Sequence, residues 1–275
     1  MNGLALALHQ GRGVAGDIEA TLARTQAIAQ HAREQGADLL LLPELWASGY
    51  GLDPERLRAL ARPAAAWAAD YGEIAREHRI ALALGCPEQA RDRPYNSAIL
   101  LDPDGRLRLL WRKSHLFGGF EHKAFRAGAD APAPVALGDW RIALLICYEV
   151  EFPELVRIAA LKGADLLLVP TAVMAPYARI PARLLPARAL ENGLYLAYAN
   201  RIGREGPFRF TGRSMVLDPE GTIRLKAGAR EEGLWVVRME RTQVAAARAR
   251  NPYLADRRPG LYRDLSRAMA PPRER

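Results

Sequence analysis

The segment GADLLLLPE at 36–44 returns as GADLLLVPT at 163–171, each time after a stretch with helical periodicity. Both copies read as helix, glycine, buried strand, then a proline and a polar residue at the strand's carboxyl end. An apolar run this continuous fits a strand covered on both faces, and its alternation with amphipathic stretches marks βα units. A second echo has the same order: DPDG at 102–105 and DPEG at 218–221 each join two apolar runs. These are hairpin turns in which glycine supplies a positive φ. The chain therefore reads as two related halves.

Strands are expected at 3–9, 38–43, 79–85, 96–101, 107–112, 141–147, 164–170, 194–200, 211–217, 222–226 and 234–237, and helices at 17–35, 64–78, 152–162 and 180–192. That is too many strands for one simple sheet. Two related sheets packed face to face, with helices outside, would bring the carboxyl ends of both copies to one cleft, where open α/β sheets gather ligands. Residues 1–248 form one domain in this reading. Residues 249–275 read as an extended tail packing on a partner subunit through Tyr253, Leu254, Leu261 and Tyr262, its last residues being those expected to lack order.

Composition narrows the function. With 275 residues, 49% of them hydrophobic, a sizeable core can be buried. The net charge of +8 invites a nucleic-acid reading, but the charge is dispersed arginine, and no basic run is interleaved with aromatics. Neither nucleic acid nor membrane is expected as a partner: no window reaches the roughly 18 apolar residues of a span. The start MNGLALALHQGRG lacks the basic leader of a signal peptide, and Cys86 and Cys147 are the only thiols, so a reducing cytoplasm is the expected compartment. Neither H-x-x-x-H nor paired C-x-x-C occurs, so no metal or organic cofactor is expected.

Three positions carry potential chemistry. Cys147 closes the apolar run RIALLIC just before FPEL opens a helix. A thiol on such a strand-to-helix turn lies beside backbone N–H groups able to hold an oxyanion, although most free cysteines are simply small buried hydrophobes. Cys86, in LALGCPEQ, shares the strand-end position without a second supporting feature. Glu44 follows four leucines and a proline, where desolvation would raise its pKa toward neutrality and make it a proton carrier. It could equally cap the next segment. Lys113, in LLWRKSHLFGGF, is one of only four lysines, with Lys123, Lys162 and Lys226. A compact ammonium there could lower a thiol pKa and stabilise an oxyanion, or it could be an ordinary strand-end lysine. Of the five histidines only His115 and His122, flanking a glycine-rich loop, are placed to approach the cleft.

Taken in order, LLLPELWASGY with Glu44, WRKSHLFG with Lys113 and LLICYEVEFPE with Cys147 resemble the three motif regions of the nitrilase superfamily of carbon-nitrogen hydrolases. The resemblance covers about residues 4 to 262, and YNSAILLDPDG, VPTAVM and RALEN agree with it. It implies a four-layer αββα sandwich of two mixed sheets and a Glu44, Lys113, Cys147 catalytic set, with no cofactor. Glu121, in EHKAFRAG, fits the family's second glutamate. The pattern looks most like bacterial aliphatic amidases, including 5-aminovaleramide and R-stereoselective amidases, which implies hydrolysis of a small primary carboxamide through a thioester. N-carbamoyl amidohydrolase and nitrilase activities would use the same residues, and a non-catalytic scaffold subunit is the alternative outside enzymes. The resemblance also implies a homodimer or larger homo-oligomer. Tyr50, Tyr148, Thr171 and Ala172 adjoin the motifs and are expected in the pocket wall. Glu149, where related sequences commonly have Asp, is expected there too; Glu149 or Glu151 would either draw a substrate ammonium or cap the helix near Phe152.

Overall fold

A computed structural model describes residues 3–266. The first half runs β1 (Gly3–Gln10), α1 (Ile18–Glu34), β2 (Leu39–Leu41), α2 (Pro54–Leu60), α3 (Ala64–His78), β3 (Ala81–Glu88), β4 (Tyr95–Leu101), β5 (Leu107–Arg112) and α4 (Gly118–Ala124). The second runs β6 (Val135–Leu137), β7 (Trp140–Leu144), a 3₁₀ turn (Cys147–Glu151), α5 (Pro153–Leu161), β8 (Leu166–Thr171), α6 (Arg179–Asn192) and β9 (Tyr195–Asn200). It continues through β10 (Ile202–Glu205), β11 (Phe208–Thr211), β12 (Met215–Leu217) and β13 (Ile223–Lys226); β14 (Gly233–Glu240) and α7 (Arg241–Arg250) close it.

Two six-stranded sheets result, ordered β14-β1-β2-β3-β4-β5 and β13-β12-β9-β8-β7-β6. In the first, β1, β2 and β3 are mutually parallel, with β4 and β5 added antiparallel. In the second, β7, β8 and β9 are parallel, with β12 and β13 added the same way. The antiparallel outer strands β14 and β6 complete the correspondence. The duplicated words both form central parallel strands, β2 ending at Leu41 and β8 continuing through Pro170 to Thr171. Asp38 accepts a hydrogen bond from Ala5 N at the head of β1, and Asp165 accepts one from Arg141 N at the head of β7. In the two hairpin turns Gly105 and Gly221 stand at φ 78° and 77°, while Asp102 and Asp218 each accept two backbone N–H bonds.

Alternation across the pleat sorts the apolar residues into layers. Leu6, Leu8, Leu39, Leu41, Ala81 and Ala83 pack in the inter-sheet core with residues of the second sheet, so that β1 lies against β9 and β3 against β8. The intervening Ala7, Leu40, Leu82 and Leu84 pack outward on Ala29 and Ala32 of α1 and on Trp67 and Tyr71 of α3. This is the expected sandwich, and the copies meet at their ends: Glu44 N donates to Thr171 O at 3.4 Å.

Several boundaries differ from expectation. The single strand expected at 211–217 is two, β11 and β12, because Gly212 and Arg213 both take positive φ. The strand expected to reach Cys147 stops at Leu144. Not anticipated as such were α2, α4, β6, the β10–β11 hairpin and α7, which runs to Arg250. In the tail Leu254 packs on the core, whereas Tyr253, Leu261 and Leu265 are exposed along and before a 3₁₀ stretch, Pro259–Ser266. The expectation for residues 267–275 lies outside the described residues. No described helix is long and apolar enough to cross a membrane.

Candidate active site

Glu44 leaves β2 through Pro43, and the next residue, Leu45, takes φ 47°. The turn lies so close to β3 that a Cβ on Gly85 would stand 2.3 Å from Leu45 N. Glu44 is thereby fully buried between the sheets. Its two oxygens are used unequally. Oε1 accepts from Lys113 Nζ and from Asn96 Nδ2, both at 2.7 Å, whereas Oε2 is buried without a hydrogen-bond partner among the described residues.

Lys113 follows β5 and is also fully buried. Besides Glu44 it donates at 2.7 Å to Oε1 of Glu121, which α4 carries in from the side. Glu121 further accepts from Tyr50 Oη and Phe117 N, each at 2.7 Å. One ammonium thus faces two carboxylates. Burial acts to lower the lysine pKa, but Glu121 and Glu44 outweigh it and keep the ammonium charged. Burial raises the Glu44 pKa, and Glu121 adds to the rise against the pull of Lys113. Two carboxylates thus share one ammonium, and burial favours the protonated form of Glu44.

Cys147 opens the 3₁₀ turn at φ 51°, a strained value for a residue with a side chain. The tight turn aims its sulfur across the sheet ends while Pro153 starts α5. Cys147 as a whole is 8% exposed, and its thiol lies within electrostatic reach of Glu44, Lys113 and Glu121. Burial pushes its pKa well up and Glu44 reinforces this, while Lys113 and the Ala172 N–H act in the opposite direction. A resting thiol that keeps its proton needs a base to become a nucleophile.

The cleft at this point, about 290 Å³ with its mouth, is lined by Tyr50, Phe117, Glu121, Cys147, Tyr148, Glu151, Ala172, Val173, Met174 and Tyr177. Glu44 and Lys113 lie beneath that lining. Tyr50, Tyr148 and Ala172 stand in the wall as expected from the sequence.

Two expected wall residues do not. Thr171 is fully buried and its hydroxyl donates to Val169 O. Glu149 is fully buried as well, and its carboxylate is saturated: it accepts from Ile146 N, Trp111 Nε1, Ser114 N and Ser114 Oγ at 2.6–2.7 Å. It caps the 3₁₀ turn and ties the Lys113 segment to the Cys147 segment, so neither ammonium capture nor capping of the helix near Phe152 describes it. Glu151 is the carboxylate in the wall. Cys86 faces the outer helical layer, not the cleft, and burial raises its pKa. His115 stacks on Phe152 at 4.1 Å, and neither it nor His122 lines the cleft.

Supporting residues escaped the sequence reading. Asn96 shares Glu44 with Lys113, and its position in YNSAILLDPDG could have signalled it. Arg188 of RALEN donates to Val150 O and Glu151 O, pinning the turn after Cys147. No described group of three or more His, Cys, Asp or Glu is arranged to hold a metal ion.

The sequence profile described as Carbon-nitrogen hydrolase matches residues 5–249. A hydrolase of Pseudomonas protegens is 41% identical over 91% of this chain and 88% of its own. An (R)-stereoselective amidase of a Pseudomonas species is 36% identical over 91% of this chain and 90% of its own. Among solved structures, a mutant amidase from Nesterenkonia sp. AN1 in complex with butyramide superimposes with a TM-score of 0.85 at 38% identity, covering 95% of this chain and 96% of that one. Another mutant of that amidase carries the acetamide moiety of fluoroacetamide on its active-site cysteine (TM-score 0.85, 37% identity, 95% and 96% covered).

Proposed function

Because this chain belongs to the carbon-nitrogen hydrolase family, whose amidases it matches in sequence and fold, we propose that it hydrolyses a small primary carboxamide to the acid and ammonia, with Cys147 as nucleophile. The observation that carries this reading is the unequal use of the Glu44 carboxylate. One oxygen is anchored by Lys113 and Asn96, and the other is buried with its lone pairs free for a proton.

Glu44 Oε2 takes the thiol proton as Sγ bonds to the amide carbon. The oxyanion that forms is held by Lys113 Nζ and the Tyr148 N–H, donors fixed before the charge develops. The C–N bond then breaks, and the proton on Glu44 passes to the leaving nitrogen, giving ammonia and a thioester. Water gives a proton to Glu44 and attacks the thioester carbon. The C–S bond breaks, the acid leaves, and the proton returns to sulfur. Glu121 and Tyr50 keep the ammonium aligned throughout.

The aromatic, narrow cleft favours a short acyl chain. Glu151 bears the half-buried carboxylate in its wall, with a pKa raised by burial against the pull of Lys113 and Arg188. An amide ending in a distant ammonium would pair with it, so 5-aminovaleramide should be hydrolysed more efficiently than valeramide; equal kcat/KM values would remove ammonium recognition from the account. Carbamoyl compounds and nitriles belong in the same assay panel, since carbon dioxide release or nitrile consumption would identify those activities.

The deciding experiment is Cys147→Ala. Ammonia release from butyramide should disappear while the circular dichroism spectrum and elution volume stay those of the wild type, and undiminished turnover would reject the proposal.

A further inference from the structure

The loop between Glu44 and Gly51 supplies both the carboxylate base and the Tyr50 hydroxyl, yet it is held from the opposite half of the molecule. Arg201, between β9 and β10, is fully buried. Its Nη1 donates to Glu44 O at 2.9 Å and Leu45 O at 3.2 Å, the two carbonyls flanking the positive-φ turn at Leu45. Its Nη2 pairs with Glu205 Oε1. The other oxygen of Glu205 accepts from Tyr50 N at 2.7 Å and Gly51 N at 3.2 Å. One buried ion pair therefore grips the loop at both ends. The β11 aromatics close over it: Phe210 lies under the guanidinium at 5.7 Å, and Phe208 and Phe210 meet the Tyr50 ring edge to face.

We infer that Arg201 and Glu205 are positioning residues for the hydrolysis, a clamp that fixes Glu44 and Tyr50 against Lys113 and Cys147. Neither residue lines the cleft, so neither touches substrate. The clamp's geometry suits this task. A guanidinium presents several donors in one plane and can span two carbonyls and a carboxylate together, which an ammonium cannot do with the same directions. The left-handed turn at Leu45 is disfavoured by itself and persists only where its surroundings fix it. Misplacing a reacting group by about 1 Å can cost about 100-fold in rate.

The inference rests on the proposed role of Glu44, and its test separates the two. Arg201→Lys keeps a positive charge opposite Glu205, and Glu205→Gln keeps the shape. In folded protein, each should lower kcat on butyramide by about 10- to 100-fold while KM changes by less than about threefold. The acid limb of kcat/KM should also move to lower pH, because a loosened Glu44 gains water and loses the burial that raises its pKa. Wild-type kcat and an unmoved limb in either folded variant would overturn the clamp while leaving Cys147 chemistry intact; inactivity of the wild-type protein on every amide would instead overturn the amidase reading. Hydrogen exchange on the wild-type protein gives a check that needs no variant. The amides of Tyr50 and Gly51 should exchange as slowly as those of β2 and β8, and loop-like exchange would remove the clamp.

Discussion

Replacing Glu44 by Gln should move activity and stability in opposite directions. In the hollow Lys113 faces both Glu44 and Glu121, hydrogen-bonded to each at 2.7 Å. Glutamine can keep its Oε1 on Lys113 and Asn96, so the anchoring survives while one negative charge goes. The substituted amide group takes the place of an oxygen that already lacks a partner. The trade removes a buried charge without deleting a hydrogen bond, a relief of about 1 kcal/mol or more. That corresponds to roughly 2 to 4 °C in Tm for a chain of this size. The gain has a pH signature. The folded Glu44 pKa lies above the ordinary 4.5, so the stability linked to this group is complete below 4.5 and is lost as pH rises through the folded value. The variant should therefore melt higher than the wild type at pH 7, with the difference shrinking as the pH falls toward 4.5. Ammonia release from butyramide should meanwhile drop by about 100- to 10,000-fold, the usual worth of a general base. Matched thermal scans at both pH values, alongside turnover, make the assay. A variant that melts several degrees lower and still turns over within about tenfold of wild type, short of the roughly 100-fold minimum for a general base, would refute the charge ledger and the base assignment together.

Three further outcomes follow from the same geometry. The acid limb of wild-type kcat/KM should lie above the ordinary carboxylate range, since Glu44 must be ionised to accept the thiol proton; a limb centred at or below 4.5 would exclude Glu44 as the base. Glu149→Gln should destabilise the fold by about 2 to 4 kcal/mol, because a glutamine cannot accept from Ile146 N, Trp111 Nε1 and both Ser114 donors at once. Chemical denaturation gives that figure, and an unchanged midpoint would contradict the bracing role. Tyr50→Phe removes one buried hydrogen bond to Glu121 and should lower kcat by about tenfold and the melting temperature by several degrees, in line with a loss of about 1.5 to 3 kcal/mol for a bond to a charged group; wild-type kcat would contradict the aligning role.

What the sequence disclosed and what it hid follow from the range of the interactions. The duplicated GADLLL runs and the DPDG and DPEG turns act within a few residues, so strand, turn and the relation between halves are written locally. The sandwich followed from them. Glu44, Lys113 and Cys147 stood out because each breaks an apolar run at a strand end. Arg201 and Glu205 stood out in nothing: an arginine among so many carries no signal, and the loop groups that the pair holds are over 150 positions away. Glu149 was misplaced for a related reason, since its position near Cys147 suggested the cleft while three of its four donors come from β5 and the loop after it. The segment 211–217 reads as one strand until the backbone at Gly212 and Arg213 turns left-handed. GGFEHKA hides α4 behind two glycines, whereas Asp53 and Pro54 are a cap and first-turn pair that does announce α2.

The central claim is that Cys147 itself becomes acylated. Rapid mixing with butyramide, acid quench and intact-protein mass spectrometry should show a population heavier by one butyryl group, located on the peptide containing Cys147 and absent from Cys147→Ala. Ammonia released with no adduct on Cys147 at any mixing time, or an adduct that persists in Cys147→Ala, would contradict it.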